Sequence, residues 1–188
     1  MIYSLPKTLE IGGRKYDIGW DFRTVLDIFR ALNAPELNSG EKALAALSIF
    51  YPAFGAEESG MPPEVCEEAV KKCFWFINGG RDETENKKGP VLVDWQQDFP
   101  YIVAPVNRIL GEDVRGTERL HWWTFLSAFY EIGDCTFAQI VRIRDMKARG
   151  KPLNKEDRQW YSRNRDIVDI RTTYTESENE LIKLWGGK

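Results

Sequence analysis

Histidine and cysteine are scarce in this 188-residue chain, with one of the first and three of the second. That scarcity leaves few candidates for metal or nucleophilic chemistry. A zinc site made from Cys66, Cys73, Cys135 and His121 would need distant pieces to converge, without the short-spaced ligand pairs of structural zinc sites. Three thiols cannot all pair and no Cys-x-x-Cys occurs, which fits a reducing compartment, the cytoplasm. If Cys66 and Cys73 share a helix, they stand about 10 Å apart, too far for a disulfide. Long apolar runs are also missing. The longest, Leu120 to Tyr130, is interrupted by His121, Thr124 and Ser127 and falls short of the roughly 20 residues that span a bilayer. Met1 to Leu5, followed by Pro6 and a charged strand pattern, carries no export signal. No Gly-rich phosphate loop ending in Lys-Ser or Lys-Thr, no Gly-x-Ser-x-Gly elbow and no His-Glu-x-x-His helix is present. No facing pair of carboxylates emerges either, since Glu67 and Glu68 point about 100° apart on a helix and Glu112-Asp113 precede the Gly116 loop. The expectation is a protein that is not an enzyme and holds neither metal nor cofactor.

What is present is a globular composition: 43% hydrophobic, 29% charged and a net charge of -3. This fits one compact domain over 1–188, large enough to need no staple. Thr8-Leu9-Glu10-Ile11 and Arg14-Lys15-Tyr16-Asp17-Ile18 flank Gly12-Gly13, which predicts a β-hairpin over 7–18. A lone ribbon is marginal in water, so it must lie on a helical body or extend a partner's sheet. Apolar stripes at helical spacing predict about seven helices over 21–170, a mainly α fold. Asp21 caps the first, Ser39 the second, and Pro62-Pro63 start the third, which ends at Asn78-Gly79-Gly80. Asp94 or Asp98 caps the fourth, where Pro105 predicts a break after Ala104. Thr117 to Ile132 forms a fifth that is apolar nearly all round, Asp134 caps a sixth, and Asn154 starts a seventh through Val168. Arg81 to Lys88 is wholly polar and reads as a loop, and 171–188 as a tail or short helix around Leu181, Ile182 and Trp185.

Charge is unevenly placed. From Arg142 to Arg165 nine basic residues face three acidic ones, a local +6, so with the whole chain at -3 the remainder carries -9. Trp160 and Tyr161 are interleaved there, which raises a nucleic-acid surface as one reading. A solvated helix face, or a patch that meets an acidic protein, is the more ordinary one. The rings of Phe74-Trp75-Phe76, Trp95 and Trp122-Trp123 are more often core than site. Rings on more than one face of the third and fifth helices also allow an apolar patch, with self-association or client binding as its consequence.

Leu120-His121-Trp122-Trp123-Thr124-Phe125, preceded by Asp98-Phe99-Pro100-Tyr101-Ile102 and Gly111-Glu112-Asp113-Val114 and followed by Ile140-Val141-Arg142-Ile143-Arg144, resembles the bacteriophage gene-product-fifteen family. Asp21-Phe22-Arg23 and Cys73-Phe74-Trp75-Phe76 are similar to it as well, so the likeness spans roughly residues 5 to 170. The resemblance implies a non-enzymatic tail-assembly protein in the host bacterial cytoplasm. Such a protein would coat the tape-measure protein during tail morphogenesis, with the tail tube protein or a smaller tail chaperone as further partners. A tail or neck connector retained in the virion is the alternative, and a nucleic-acid-binding regulator using the 142–165 segment comes third. A chaperone for an amphipathic client needs apolar anchors rimmed by charge. The candidates are Trp75, Trp122, Trp123 and Phe125 as core or anchor, with Arg142, Arg144 and Arg163 as rim.

Overall fold

Gly12 and Gly13 take φ of 56° and 77°, the left-handed pair that a two-residue hairpin turn requires. In the computed structural model, which describes residues 3–54, 61–81 and 89–171, they join β1 (Thr8–Ile11) to β2 (Arg14–Asp17). Leu9 pairs with Tyr16 and Ile11 with Arg14. The alternation turns Leu9, Ile11 and Tyr16 inward and leaves Thr8, Glu10, Lys15 and Asp17 in water. The ribbon lies on α3 (Cys66–Ile77): the Gly12 N–H donates to Glu68 Oε2 at 3.0 Å.

Among the described residues the rest is helical: α1 (Phe22–Leu32), α2 (Ser39–Phe50), a short 3-10 turn (Pro63–Val65), α3, α4 (Trp95–Leu110), α5 (Trp122–Tyr130), α6 (Thr136–Ala148), α7 (Lys155–Arg163) and α8 (Arg165–Val168). Asp21 caps α1 as its sequence position foretells, accepting from the Arg23 N–H at 2.9 Å. The start of α2 differs from expectation: Asn38, not Ser39, is the cap, in a full capping box with Glu41. The sixth helix is capped from Cys135 rather than Asp134, without a side-chain bond. The expected seventh helix is divided at Asn164 into α7 and α8.

Two larger departures come from tertiary structure. No break follows Ala104, because α4 runs on through Pro100 and Pro105. Its buried Ile102, Val103 and Val106 lie on both sides of the second proline, and their packing outweighs the hydrogen bond that proline removes. The fifth helix begins at Trp122 rather than Thr117, because the chain before it is used otherwise. Phe22 N–H donates to Leu120 O at 3.0 Å and Trp122 N–H to Trp20 O at 2.8 Å, a bridge between Asp21 and His121 that holds residues 120 and 121 extended. Most of the Arg81 to Lys88 loop and the 172–188 tail lie outside the described residues.

Rings fill the main core. Phe22 stacks on Phe125 at 4.8 Å, Trp122 lies 5.7 Å from Phe125, and Phe50 meets Phe76 at 5.2 Å. The Tyr51 hydroxyl donates to Ala69 O at 3.0 Å, and burial pushes its pKa up. A satellite core of Ile140, Ile143 and Val168, flanked by Trp160, Tyr161 and Ile167, holds α6, α7 and α8 together. Among the described residues no helix is long and apolar enough to cross a membrane.

Candidate partner-binding surface

The residues that carry the family likeness meet one another. His121 caps α5: its Nδ1 accepts from the Trp123 N–H at 3.0 Å, and Nε2 lies 2.9 Å from Pro6 O. A backbone N–H can only donate, so Nδ1 is the unprotonated nitrogen and Nε2–H donates to Pro6, which defines a neutral tautomer. Burial lowers the ring's pKa below its ordinary value; the Pro6 hydrogen bond opposes this and the Lys7 ammonium adds to it. Trp122 Nε1–H donates to Ile77 O and Trp123 Nε1–H to Phe76 O, both at 2.8 Å. Those carbonyls belong to the last turn of α3, past the regular helical ladder, and Phe76 O also accepts from the Gly79 N–H at 3.1 Å. The two adjacent tryptophans therefore cap the C-terminal end of α3 from the first turn of α5.

Asp21 and Arg23 form a second joint. Asp21 Oδ2 accepts from the Leu120 N–H at 2.9 Å, while Arg23 Nη2 donates to Val114 O at 2.9 Å and to Thr117 O at 2.7 Å. The third is Asp98 with Arg144. Arg144 Nη1 and Nη2 reach the two carboxylate oxygens at 2.6 and 2.9 Å. Its remaining N–H groups go to Val168 O, Leu92 O and Ile167 O at 2.6, 2.9 and 3.0 Å. All five guanidinium donors are used, which is what a buried arginine requires.

This placement sorts the predicted partner residues. Trp122 and Phe125 are 1% and 0% exposed and belong to the core. Trp75 and Trp123 are partly buried, edge to face at 5.5 Å, and keep part of each ring at the surface. Arg144 is not a rim residue. At 6% exposure it is the hub of the Asp98 pair, because its carboxylate partner lies inside the domain. Arg142 is committed to Asp157, whose carboxyl it holds below the usual range, although half of its side chain stays in water. Arg163 is exposed.

The rest of the basic segment divides in the same way. Lys147 pairs with Asp169 and Arg149 with Asp145. Lys155, Arg158 and Arg163 make no ion pair among the described residues and line one shallow recess with Gln159 and Ser162. Sequence reasoning counted Lys155 and Arg158 only in bulk. The signal that isolates them was there: positions 155, 158, 159, 162 and 163 follow helical spacing on the face opposite Asp157, Trp160 and Tyr161.

Among the described residues, no three His, Cys, Asp or Glu side chains gather where they could hold a metal ion. Cys66, Cys73 and Cys135 are free thiols, and burial pushes Cys73 up to about 12. Two further shallow recesses lie among the described residues: one flanks Trp20, Arg23 and Arg119, and another lies between Tyr101, Arg108 and Cys135.

Nothing among curated proteins or solved structures matches this chain. The family model described as Bacteriophage Gp15 protein matches residues 1–170, the stretch that holds the three joints, and the chain belongs to that family of bacteriophage proteins.

Proposed function

We propose that this phage protein acts without catalysis, as a tail-assembly chaperone that binds the tape-measure protein during tail morphogenesis in the host cytoplasm. The observation that carries the reading is the use made of the motif side chains. His121, Trp122, Trp123, Asp21, Arg23, Asp98 and Arg144 spend their polar atoms on one another and on backbone N–H and carbonyl groups. What the family pattern specifies in this chain is thus a scaffold. A scaffold that presents surface, with its strongest polar groups turned inward, suits recognition of a protein more than chemistry on a small molecule. The surface offers the α7 cations and the partly exposed rings of Trp75 and Trp123, the charge and aromatic area that a client helix would meet.

The test is co-purification from cells producing the phage. Tape-measure protein recovered in soluble form with the tagged chain, and no chain in finished particles, is the expected result. Stoichiometric retention of the chain in purified virions would replace this reading with that of a tail or neck connector. Recovery of nucleic acid alone, lost steeply as salt rises, would move the function to the basic segment.

A further inference from the structure

The backbone register of the hairpin decides which of its polar groups are free. Ladder pairs alternate between residues that exchange hydrogen bonds and residues that do not. The Ile18 N–H donates to Lys7 O at 3.1 Å, so the bonded pairs are Lys7 with Ile18, Leu9 with Tyr16 and Ile11 with Arg14. The N–H and C=O of Lys15 and Asp17 therefore point away from β1, along the outer edge of β2, and they have no hydrogen-bond partner among the described residues. The outer edge of β1 turns out Thr8 and Glu10 in the same way. That strand lies along α3, and the chain entering it is tied down where Pro6 O meets His121 Nε2 at 2.9 Å.

The side chains on the β2 edge carry opposite charges. Lys15 and Asp17 stand on the solvent face of the strand, and neither makes an ion pair among the described residues. Two copies of β2 laid antiparallel can bond through their outward groups in only a few registers. One centred on Lys15 sets that cation against the partner's Lys15, and one centred on Asp17 sets the carboxylate against the partner's Asp17; like charges directly opposite are destabilising. Centred on Tyr16, the register puts Lys15 opposite the partner's Asp17 and Asp17 opposite the partner's Lys15. These are also the positions whose N–H and C=O point outward, so each pair exchanges both of its backbone hydrogen bonds and joins opposite charges. On β1 the matching register would face Thr8 with the partner's Glu10 and gain no ion pair.

We infer that this protein self-associates as a two-fold dimer through the outer edge of β2, in the antiparallel register centred on Tyr16. Residues directly opposite one another put their side chains on the same face, so the buried faces of both ribbons look the same way. The result is one sheet with strand order β1–β2–β2–β1 and the α3 of each copy beneath it. That sheet answers the weakness of the ribbon, since three or more strands on a helical layer are stable where a lone pair is marginal. The interface uses the same patch on both copies and closes at two. Short strands and exposed ion pairs make it a weak, concentration-dependent association.

The experiment is sedimentation equilibrium of the full-length chain at concentrations up to about 1 mM, where weak dimers are populated. The wild type should follow a monomer–dimer equilibrium that weakens as salt rises. Lys15→Asp sets carboxylate against carboxylate at both pairs and Asp17→Lys sets ammonium against ammonium, so each should weaken self-association about tenfold. An equimolar mixture of the two variants restores opposite charges at both pairs. It should associate about as tightly as the wild type, with the heterodimer in excess over either homodimer by native mass spectrometry. Lys15→Pro keeps the ribbon's own bonds, because that N–H points outward, and should weaken the dimer by removing a donor from the shared edge. Glu10→Lys, on the solvent face of β1, should leave the dimer unchanged. Far-UV circular dichroism checks that each variant is folded, and the charge variants, at exposed positions, carry the test if the proline disturbs the ribbon. A chain that stays monomeric, a ladder of higher species, charge variants that associate as the wild type does, a mixture that fails to associate, or loss of the dimer on Glu10→Lys would each overturn the inference.

Discussion

Protonating His121 would put a second N–H where the ring now accepts one, facing the Trp123 N–H it caps. The folded-state pKa lies below the ordinary value of 6.5. The neutral ring's contribution to stability is therefore fully present above about pH 6.5, and it is lost as pH falls from there through the folded value. Lys7 and Asp21 stand close by, and Lys7 opposes a positive ring. The comparison is with His121→Asn, which keeps a capping acceptor and cannot titrate. The wild type's advantage in urea midpoint should shrink between about pH 7 and pH 5, and an advantage that stays constant over that interval would remove the histidine from the account. Gly80 makes a second prediction at this scale. Its φ is +82°, and an added Cβ would sit 2.8 Å from the Trp123 ring, whereas Gly111 at φ +77° has open space around it. Gly111→Ala measures the backbone cost alone, about 1–2 kcal/mol. Gly80→Ala should cost more than that in equilibrium unfolding, because it also disturbs the tryptophan that caps α3.

Elements are joined here by side chains that reach across long stretches of sequence. Asp98 and Arg144, separated by 46 positions, tie α4 to α6, and the same guanidinium reaches the end of α8. Removing one partner leaves a buried charge without its counterpart, so Asp98→Ala and Arg144→Met should each cost about 3–5 kcal/mol. The double variant should cost clearly less than their sum, and additive losses in that cycle would show the pair to be uncoupled. Several boundaries were legible from local signals, although the equally local Asn38–Glu41 capping box was read one residue late, at Ser39. Asp21 before Phe22, Asn154 before Lys155 and the Gly12-Gly13 turn act within three residues of themselves. The start of α5 was not legible, because residues 117–121 have a helical pattern and lose it to a backbone bridge with Trp20 and Asp21, a hundred residues away. Continuity of α4 through Pro105 has the same origin, since buried neighbours on both turns decide it.

At the scale of the whole molecule, the rings that hold the core and the cations that stay in water are different residues. Trp122→Ala removes a fully buried ring and an indole bond to Ile77, and it should cost about 3–5 kcal/mol with loss of cooperative unfolding at lower denaturant. Arg163→Glu, on the open face of α7, should leave stability within about 0.5 kcal/mol and act only on what binds there. A Trp122→Ala protein as stable as the wild type would put that ring outside the core. Sequence alone determined the mainly helical class, the hairpin, the aromatic core and the likeness to the phage family, because hydrophobic period, turn chemistry and motif residues are written in neighbouring positions. Tertiary structure decided which charges are free. Of the nine cations in residues 142–165, four are paired with Asp98, Asp145, Asp157 and Asp169, and three of those four carboxylates come close to their cations only through packing of α4, α6, α7 and the chain after α8. Arg144 and Arg163 are the same residue type on the same basic segment, yet one is a buried joint and the other an open contact. Whether a guanidinium is spent inside a protein depends on a carboxylate brought to it by the fold.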